Sequence, residues 1–383
     1  MVFGILALLS IICLGNAQFT DSSTASAGVV GGKCTETVLP IAVNATNLNL
    51  VLDPPKDQQV LTDLFLRLTS DPASVIGEVV KGNVENSATY KIWTQLCLPT
   101  TQDDKKTVEL AVAGIGFDHT YWSIGGSGSK YNYVEAALKA GHAILTYDRL
   151  GVGKSDKPNG IKEVQTPTQV EITTELVKYL RGKPNGQTFG RVIGIGHSFG
   201  SVTLAGVANK YGNLFNATII TGLTAHTESN LPALATWSLS IASENVPKRF
   251  GSLGSEYTVW HGIINNQQNF FAYPNYDAAI LQLSEDTKYG ATIGEWLTMA
   301  APPSPLYTNP VIVVTGDKDY LTCTANCLQI VNGTNLVEGT KVLFPSTTDF
   351  SSYIPKNTGH GVNAHLNAPE TYAEIQKWIA NLG

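Results

Sequence analysis

The stretch RVIGIGHSFGSVTL, residues 191–204, decides the fold of this chain. Residues 191–195 have the character of a buried strand, and residues 200–204 open a helix. The G-x-S-x-G pattern from Gly196 to Gly200 therefore lies at a turn from strand to helix. Side chains in place of these glycines would clash in so sharp a turn. The pattern predicts a nucleophilic Ser198 at a helix N-terminus, whose dipole favours a developing negative charge.

Short apolar runs and helix-like segments alternate on both sides of this stretch. Runs without polar alternation are typical of strands covered on both faces, as in a parallel sheet. The predicted strands are Val108–Ala113, Ala143–Tyr147, Arg191–Ile195, Thr218–Thr221, Val311–Thr315 and Lys341–Phe344. The predicted helices are Tyr131–Ala140, Gln169–Arg181, Ser201–Tyr211 and Glu370–Leu382. This order predicts an α/β fold with a doubly wound, mostly parallel sheet.

Two regions interrupt or precede this alternation. Residues 223–308 separate two predicted core strands by far more than a usual connection, and they are rich in aromatic side chains. They form either a cap over the site or a loosely attached lobe, and we favour the cap. Earlier in the chain, polar and apolar residues alternate in three segments, and one segment has helical spacing. We predict strands at Leu39–Val43, Leu48–Leu52 and Tyr90–Leu98, and a helix at Gln58–Leu68. Residues 34–383 then form one domain with an inserted cap.

A serine hydroxyl needs a base, and the base needs a carboxylate to orient it. Of the seven histidines, only His360 has a suitable setting, in a glycine-rich loop between the last predicted strand and the last helix. We expect His365 to lie at the surface or to support the site. Asp317 and Asp319 both follow a buried strand, and the chain order of serine, acid and histidine is typical of one fold class. The pattern alone leaves these two carboxylates as alternatives.

From about Thr107 to the C-terminus, the chain resembles the α/β-hydrolase superfamily, especially secreted fungal serine hydrolases of the esterase and lipase type. Besides the serine motif, DRLGVGKS at residues 148–155 resembles the family loop D-x-x-G-x-G-x-S, and GIGFDHTYW at residues 114–122 resembles its oxyanion loop. The resemblance implies that backbone N–H groups of Ile115 and Phe199 form the oxyanion hole. Many relatives have His-Gly where this chain has Ala113-Gly114, which leaves open how the loop is held.

The resemblance also chooses between the two carboxylates. In the family the acid usually lies three residues past the glycine that ends the strand, here Gly316, and that position is Asp319. We therefore predict a triad of Ser198, Asp319 and His360. Asp317, one residue after the turn, is expected to accept hydrogen bonds from nearby backbone N–H groups.

Two glycine patterns partly match nucleotide-binding motifs, but each lacks a glycine that its motif requires. Residues 151–155 look like the end of a phosphate-binding loop, but Asp148 stands where the earlier glycine is required. Gly114 and Gly116 begin a dinucleotide fingerprint, but His119 occupies the place of the third glycine. We expect no cofactor. We also expect no metal, because no histidine flanks the C-terminal cysteine pair at ligand spacing.

The N-terminus predicts secretion. Residues 1–17 contain an apolar run too short to cross a bilayer, followed by small residues that a signal peptidase reads. We predict cleavage after Ala17 and a flexible lead-in at residues 18–33.

Four cysteines then remain in an oxidising compartment, and of their three possible pairings we favour Cys34–Cys97 with Cys323–Cys327. Glycosylation sequons begin at Asn44, Asn216 and Asn332.

These observations predict a secreted carboxylic ester hydrolase acting on a small-molecule ester, and the aromatic residues at 223–308 favour an ester with an apolar group. The net charge is −6 with no basic stripe, so we expect no nucleic-acid partner, and we expect no stable membrane anchor. Two alternatives remain open. The same triad serves peptidases, lyases and biosynthetic cyclases, and the fold also serves small-molecule binding without catalysis.

Overall fold

The computed structural model describes residues 24–25 and 28–383, so the predicted leader at 1–17 and part of the predicted lead-in at 18–33 lie outside it. Its strands are β1 Thr24–Ala25, β2 Gly32–Leu50, β3 Val80–Pro99, β4 Thr107–Val112, β5 Ala143–Tyr147, β6 Arg191–His197, β7 Ala217–Thr221, β8 Leu239–Ile241, β9 Tyr257–Trp260, β10 Ala291–Thr292, β11 Val311–Val314, β12 Ile330–Val331, β13 Thr334–Asn335 and β14 Phe350–Tyr353.

The helices of the described residues connect these strands. They are α1 Gln58–Ser70, α2 Pro72–Val79, α3 Tyr133–Lys139, α4 Thr166–Arg181, α5 Phe199–Tyr211, α6 Asn230–Thr236, α7 Ala242–Asn245, α8 Pro247–Phe250, α9 Ile263–Phe270, α10 Ala278–Asp286, α11 Ile293–Thr298, α12 Tyr320–Cys323, α13 Leu336–Gly339 and α14 Ala368–Asn381. None of the described helices has the length and apolar character needed to cross a membrane.

The central sheet confirms the predicted fold class. Its strand order is β1-β2-β3-β5-β4-β6-β7-β11-β14, and the six strands from β5 to β14 are parallel. Side chains of β11 alternate between two apolar layers. Ile312 belongs to the layer that includes residues of α3 and α14, whereas Val311 and Val313 belong to the layer that includes residues of α4 and α5. Because both faces are covered, the strands carry the solid apolar runs seen in the sequence.

The N-terminal region is a long antiparallel pair added to one edge of the parallel sheet. β2 pairs with β3 along nearly its whole length, and β3 pairs with β5. The two strands predicted at Leu39–Val43 and Leu48–Leu52 belong to one continuous strand that ends at Leu50. The alternation of buried and exposed residues continues through the polar residues 44–47 between them. Cys34 and Cys97 face each other in this pair and form a disulfide.

The strand predicted at Lys341–Phe344 is wrong. Residues Thr340–Leu343 form a 3-10 turn, and Leu343 and the following Phe344 are buried against the body of the protein. The last strand of the sheet is instead β14, with the half-buried sequence FSSY. An edge strand has only one neighbour and is partly solvated, so it lacks the apolar signature of the central strands.

Residues 223–308, which we call the insertion, leave the sheet after β7 and return at β11. They contain α6 to α11 and a small antiparallel sheet of order β10-β9-β8. The insertion packs around its own aromatic side chains, including Trp237, Trp260 and Phe270. It also contacts the loop after β4, where the Tyr289 N–H donates to the Gly116 carbonyl at 2.8 Å.

Candidate active site

Ser198 occupies the predicted turn between β6 and α5. Its φ of 53° and ψ of −114° lie in a region that L-residues rarely adopt. Neither Gly196 nor Gly200 has room for a side chain. A Cβ on Gly196 would lie 2.6 Å from the Gly200 backbone, and one on Gly200 would lie 2.0 Å from the Val112 oxygen. The Ser198 N–H donates to the Thr221 oxygen at 2.8 Å. The close approach of three backbone segments thus holds the serine in its strained conformation.

His360 and Asp319 form a buried pair at the carboxyl end of the sheet. His360 Nδ1 lies 2.8 Å from Asp319 Oδ2, and the two side chains are 1 % and 0 % exposed. Asp319 also caps α12, because its other oxygen accepts the Thr322 N–H at 3.0 Å. The carboxylate accepts from Nδ1, so the neutral imidazole carries its proton there. Nε2 is left as the proton acceptor.

The imidazole of His360 lies beside the elbow that carries the serine. Its ring centroid is 4.9 Å from that of His197, the residue directly before Ser198. Gly222 provides the room, since a Cβ there would lie 2.8 Å from His197 and 3.2 Å from His360. His360 Nε2 is buried and has no hydrogen-bond partner within the described residues. Such catalytic hydrogen bonds often tighten only when substrate binds.

His197 is a structural neighbour of the site. Burial, and then the charge of His360, holds the pKa of His197 well below its usual range, so the ring stays neutral. It stacks on Tyr121 with centroids 4.2 Å apart, and its Nδ1 lies 3.1 Å from the Thr221 hydroxyl. Burial likewise raises the pKa of Tyr121 far above its usual range. Two neutral, packed rings therefore form one wall beside His360.

Residues 114–122, which we call the oxyanion loop, pass directly over the elbow. A Cβ on Gly114 would lie 2.9 Å from the Ser198 Cβ. Neither predicted donor, the N–H of Ile115 or that of Phe199, makes a hydrogen bond among the described residues. The Phe199 N–H opens α5, where no intrahelical acceptor exists. Both donors are therefore available to an oxygen at the nucleophile.

Two residues support the loop of His360, and one of them is His365, for which the sequence left this role and a surface position open. His365 is buried, not at the surface, and its Nε2 accepts the Gly359 and Ala272 N–H groups, both at 2.9 Å. Asp317 accepts the Thr358 N–H at 3.1 Å, so its partner lies on the histidine loop and not in its own turn. A polar residue next to a glycine-rich loop is the only signal of such roles. Gly359 lies close to His365 in sequence, but Ala272 is distant from His365 and Thr358 is distant from Asp317.

Aromatic side chains from the insertion and the oxyanion loop enclose the site. The Phe270 ring lies 5.5 Å from His360 and 5.1 Å from Phe117. Trp260 leaves no room for a side chain at Gly116, where a Cβ would lie 2.2 Å from its ring. A cavity of about 370 Å³ opens beyond Phe117, between the oxyanion loop and α10. The surroundings of His360 and the oxyanion loop are thus mainly apolar.

The other predicted positions are placed as follows. Cys323 and Cys327 form a disulfide just after Asp319. The three sequon asparagines are exposed, at Asn44, Asn216 and Asn332. One group of possible metal ligands occurs among the described residues, formed by Asp118, His119 and Asp148. The carboxylate oxygens of this group already accept hydrogen bonds from Thr120, His119 and Lys154. These bonds connect the oxyanion loop to the loop at residues 148–155.

Fold and site together define the class of α/β hydrolases. A model described as the alpha/beta hydrolase family matches residues 110–375, and the chain belongs to that family, whose members are mainly hydrolytic enzymes. Bromoperoxidase from Bacillus anthracis is similar in structure at a TM-score of 0.54, with 17 % identity over 77 % of this chain and 97 % of that chain. Epoxide Hydrolase A from Mycobacterium thermoresistibile has a TM-score of 0.52, with 12 % identity over 76 % of this chain and 96 % of that chain. Such identities show the fold alone. No curated protein matches the chain.

Proposed function

We propose that this protein is a serine hydrolase that cleaves carboxylic esters through an acyl-Ser198 intermediate. The observation that carries the proposal is the buried His360–Asp319 pair of 2.8 Å beside a strained serine elbow. Its Nε2, unpartnered among the described residues, is the nitrogen that a general base needs. A serine at the elbow argues against hydrolases of this fold that use an aspartate nucleophile there.

The residues divide the reaction between them. His360 Nε2 takes the Ser198 proton as the hydroxyl attacks the ester carbonyl, and Asp319 stabilises the imidazolium. The oxyanion accepts hydrogen bonds from the Ile115 and Phe199 N–H groups. His360 then protonates the leaving alcohol. Water repeats the sequence on the acyl-enzyme and releases the acid.

The aromatic surroundings favour an ester with an apolar group. Phe117, Trp260 and Phe270 are nearly fully buried around the catalytic residues. A neighbouring cavity of about 370 Å³ is lined by Phe117 and by residues of α10, and neither Ser198 nor His360 lines it. Apolar contacts of this kind contribute about 25 cal/mol per Å² of surface removed from water. We therefore propose short or medium apolar acyl or alcohol groups, in a secreted enzyme with no nucleic-acid partner.

A fluorophosphonate probe and a panel of p-nitrophenyl esters test the proposal. The probe should label Ser198 and no other serine, and Ser198→Ala should lower kcat by up to about a millionfold with an unchanged melting temperature. Ser252→Ala, at an exposed serine, is the matched control and should keep full activity. Labelling at another serine, or an active Ser198→Ala variant, would reject the assignment.

A further inference from the structure

A buried arginine behind the elbow touches both segments that carry the proposed oxyanion donors. Arg149 follows β5 and is 1 % exposed. Its guanidinium donates to the carboxylate of Glu295 in α11 and to the carbonyl oxygen of Gly114, the latter at 3.2 Å. The same group lies over the Phe199 ring, 4.9 Å from its centroid. The fixed fork of an arginine suits such simultaneous contacts.

The contact with Gly114 determines which way the next N–H points. In a trans peptide unit the carbonyl oxygen and the following N–H point in opposite directions. Because the Gly114 oxygen turns toward Arg149, the Ile115 N–H turns away from it. A flip of this unit would remove one donor from the hole and turn a carbonyl oxygen toward the substrate's oxyanion.

We infer that Arg149 is a positioning residue that holds the oxyanion hole in its working orientation. This inference rests on the proposed function, because it assigns a role within that same site. Arg149 does not contact the reacting atoms. It acts through the Gly114–Ile115 peptide unit and through the ring of Phe199.

The counter-charge for Arg149 comes from the insertion. Glu295 is 1 % exposed, and it also accepts hydrogen bonds from Gln169 at 3.0 Å and from the Thr292 N–H at 3.1 Å. A buried guanidinium without such a partner would be strongly destabilising. The insertion also holds the other end of the oxyanion loop, where Tyr289 donates to Gly116. Correct packing of the insertion is therefore a condition for a formed oxyanion hole.

The test removes the guanidinium without leaving a lone buried charge. In the double variant Arg149→Met/Glu295→Leu, kcat should fall about 100-fold, as when one oxyanion donor is lost, while KM changes less than about threefold. Affinity for a trifluoromethyl ketone, whose adduct carries the oxyanion, should fall by the same factor as kcat/KM. The pH at which kcat/KM is half-maximal should stay unchanged, since His360 is untouched. Arg191→Met, at the opposite end of β6, is the matched control and should retain wild-type kinetics.

Arg149→Lys provides a second route should the double variant not fold. The lysine keeps a positive charge beside Glu295 but lacks the forked N–H donors of a guanidinium. We therefore expect kcat to fall at least tenfold while the melting temperature stays that of the wild type. Wild-type kcat in either folded variant, or a loss confined to KM, would overturn the inference. Hydrogen exchange of the peptide spanning residues 113–117, which should speed up in the variant, needs no turnover. If the wild type neither reacts with fluorophosphonate nor hydrolyses esters, the proposed function fails, and this exchange still tests the role of Arg149.

Discussion

The two aspartates after β11 differ in what their carboxylates contact. Asp319 bonds the His360 imidazole, whereas Asp317 bonds the backbone of Thr358. Asp319→Asn should lower kcat by about 10⁴, because an amide in this position favours the wrong tautomer of His360. Asp317→Asn should keep kcat within about tenfold and lower the free energy of unfolding by about 1 kcal/mol. Steady-state kinetics and urea unfolding of both variants decide the matter, and the reverse pattern would make Asp317 the acid.

Because His365 is buried, we expect the free energy of unfolding to depend on pH. Burial lowers the pKa of His365 from 6.5 to about 4. Between these values the unfolded chain binds a proton that the folded protein excludes, so stability falls as the pH falls through this window. The whole shift corresponds to about 3 kcal/mol.

Urea unfolding at pH 7 and pH 4.5 measures this contribution. His365→Asn keeps an acceptor but cannot titrate, so it should lose about 2–3 kcal/mol less than the wild type between the two pH values. His261→Asn, at an exposed histidine, is the control and should follow the wild type. An equal loss in His365→Asn and the wild type would contradict the role given to the buried ring.

At the scale of elements, the elbow is a junction of β4, β6 and α5. A Cβ on Gly200 would lie 2.0 Å from the Val112 oxygen, and neither backbone can retreat without breaking the parallel pairing. Gly200→Ala should therefore lower the free energy of unfolding by about 3 kcal/mol or more and abolish fluorophosphonate labelling. Gly77→Ala, in open space in α2, is the matched control and should be stabilising by up to about 1 kcal/mol. Thermal melts of both variants test this, and a stable, reactive Gly200→Ala protein would contradict it.

Sequence patterns predicted the elements that are covered on both faces. β5, β6 and β11 are uniformly buried, so their apolar runs are unambiguous. β14 was missed because its four residues are all half-buried. The three triad candidates could be picked out because each follows a strand at the same sheet edge. The contacts of Arg149 with Gly114 and Glu295, and that of His365 with Ala272, could not, since these partners lie on segments remote in sequence.

At the scale of the whole molecule, the covalent state follows from the predicted compartment. Protein produced in a eukaryotic secretory host should begin at Gln18 and contain no free thiol, because the remaining cysteines are paired in the structure. Intact mass before and after alkylation checks both points. Alkylation after reduction is the control and should modify four cysteines. Uptake of label without reduction would contradict the pairing.

The insertion and the body of the protein meet at several fixed points around the site. The Gly361 N–H donates to the Phe270 oxygen at 2.9 Å, and the Leu366 N–H donates to the Asn275 oxygen at 3.0 Å. Gly361 and Leu366 follow His360 closely in sequence, and the Arg149–Glu295 pair ties the insertion to the segment after β5. Substrate access by movement of side chains would leave these contacts intact, whereas rotation of the whole insertion would break them.

The Cys34–Cys97 bond has a consequence for any cut in the chain between its two ends. The covalent loop that it closes contains α1, α2 and the whole connection between β2 and β3, including the exposed segment after β2. A protease that hydrolyses a peptide bond there separates the chain in sequence but not in covalent structure. The nicked molecule keeps its mass, apart from one added water, until a reductant divides it into two polypeptides. Until that reduction, Ser198, Asp319 and His360, all on the larger piece, stay covalently joined to β2.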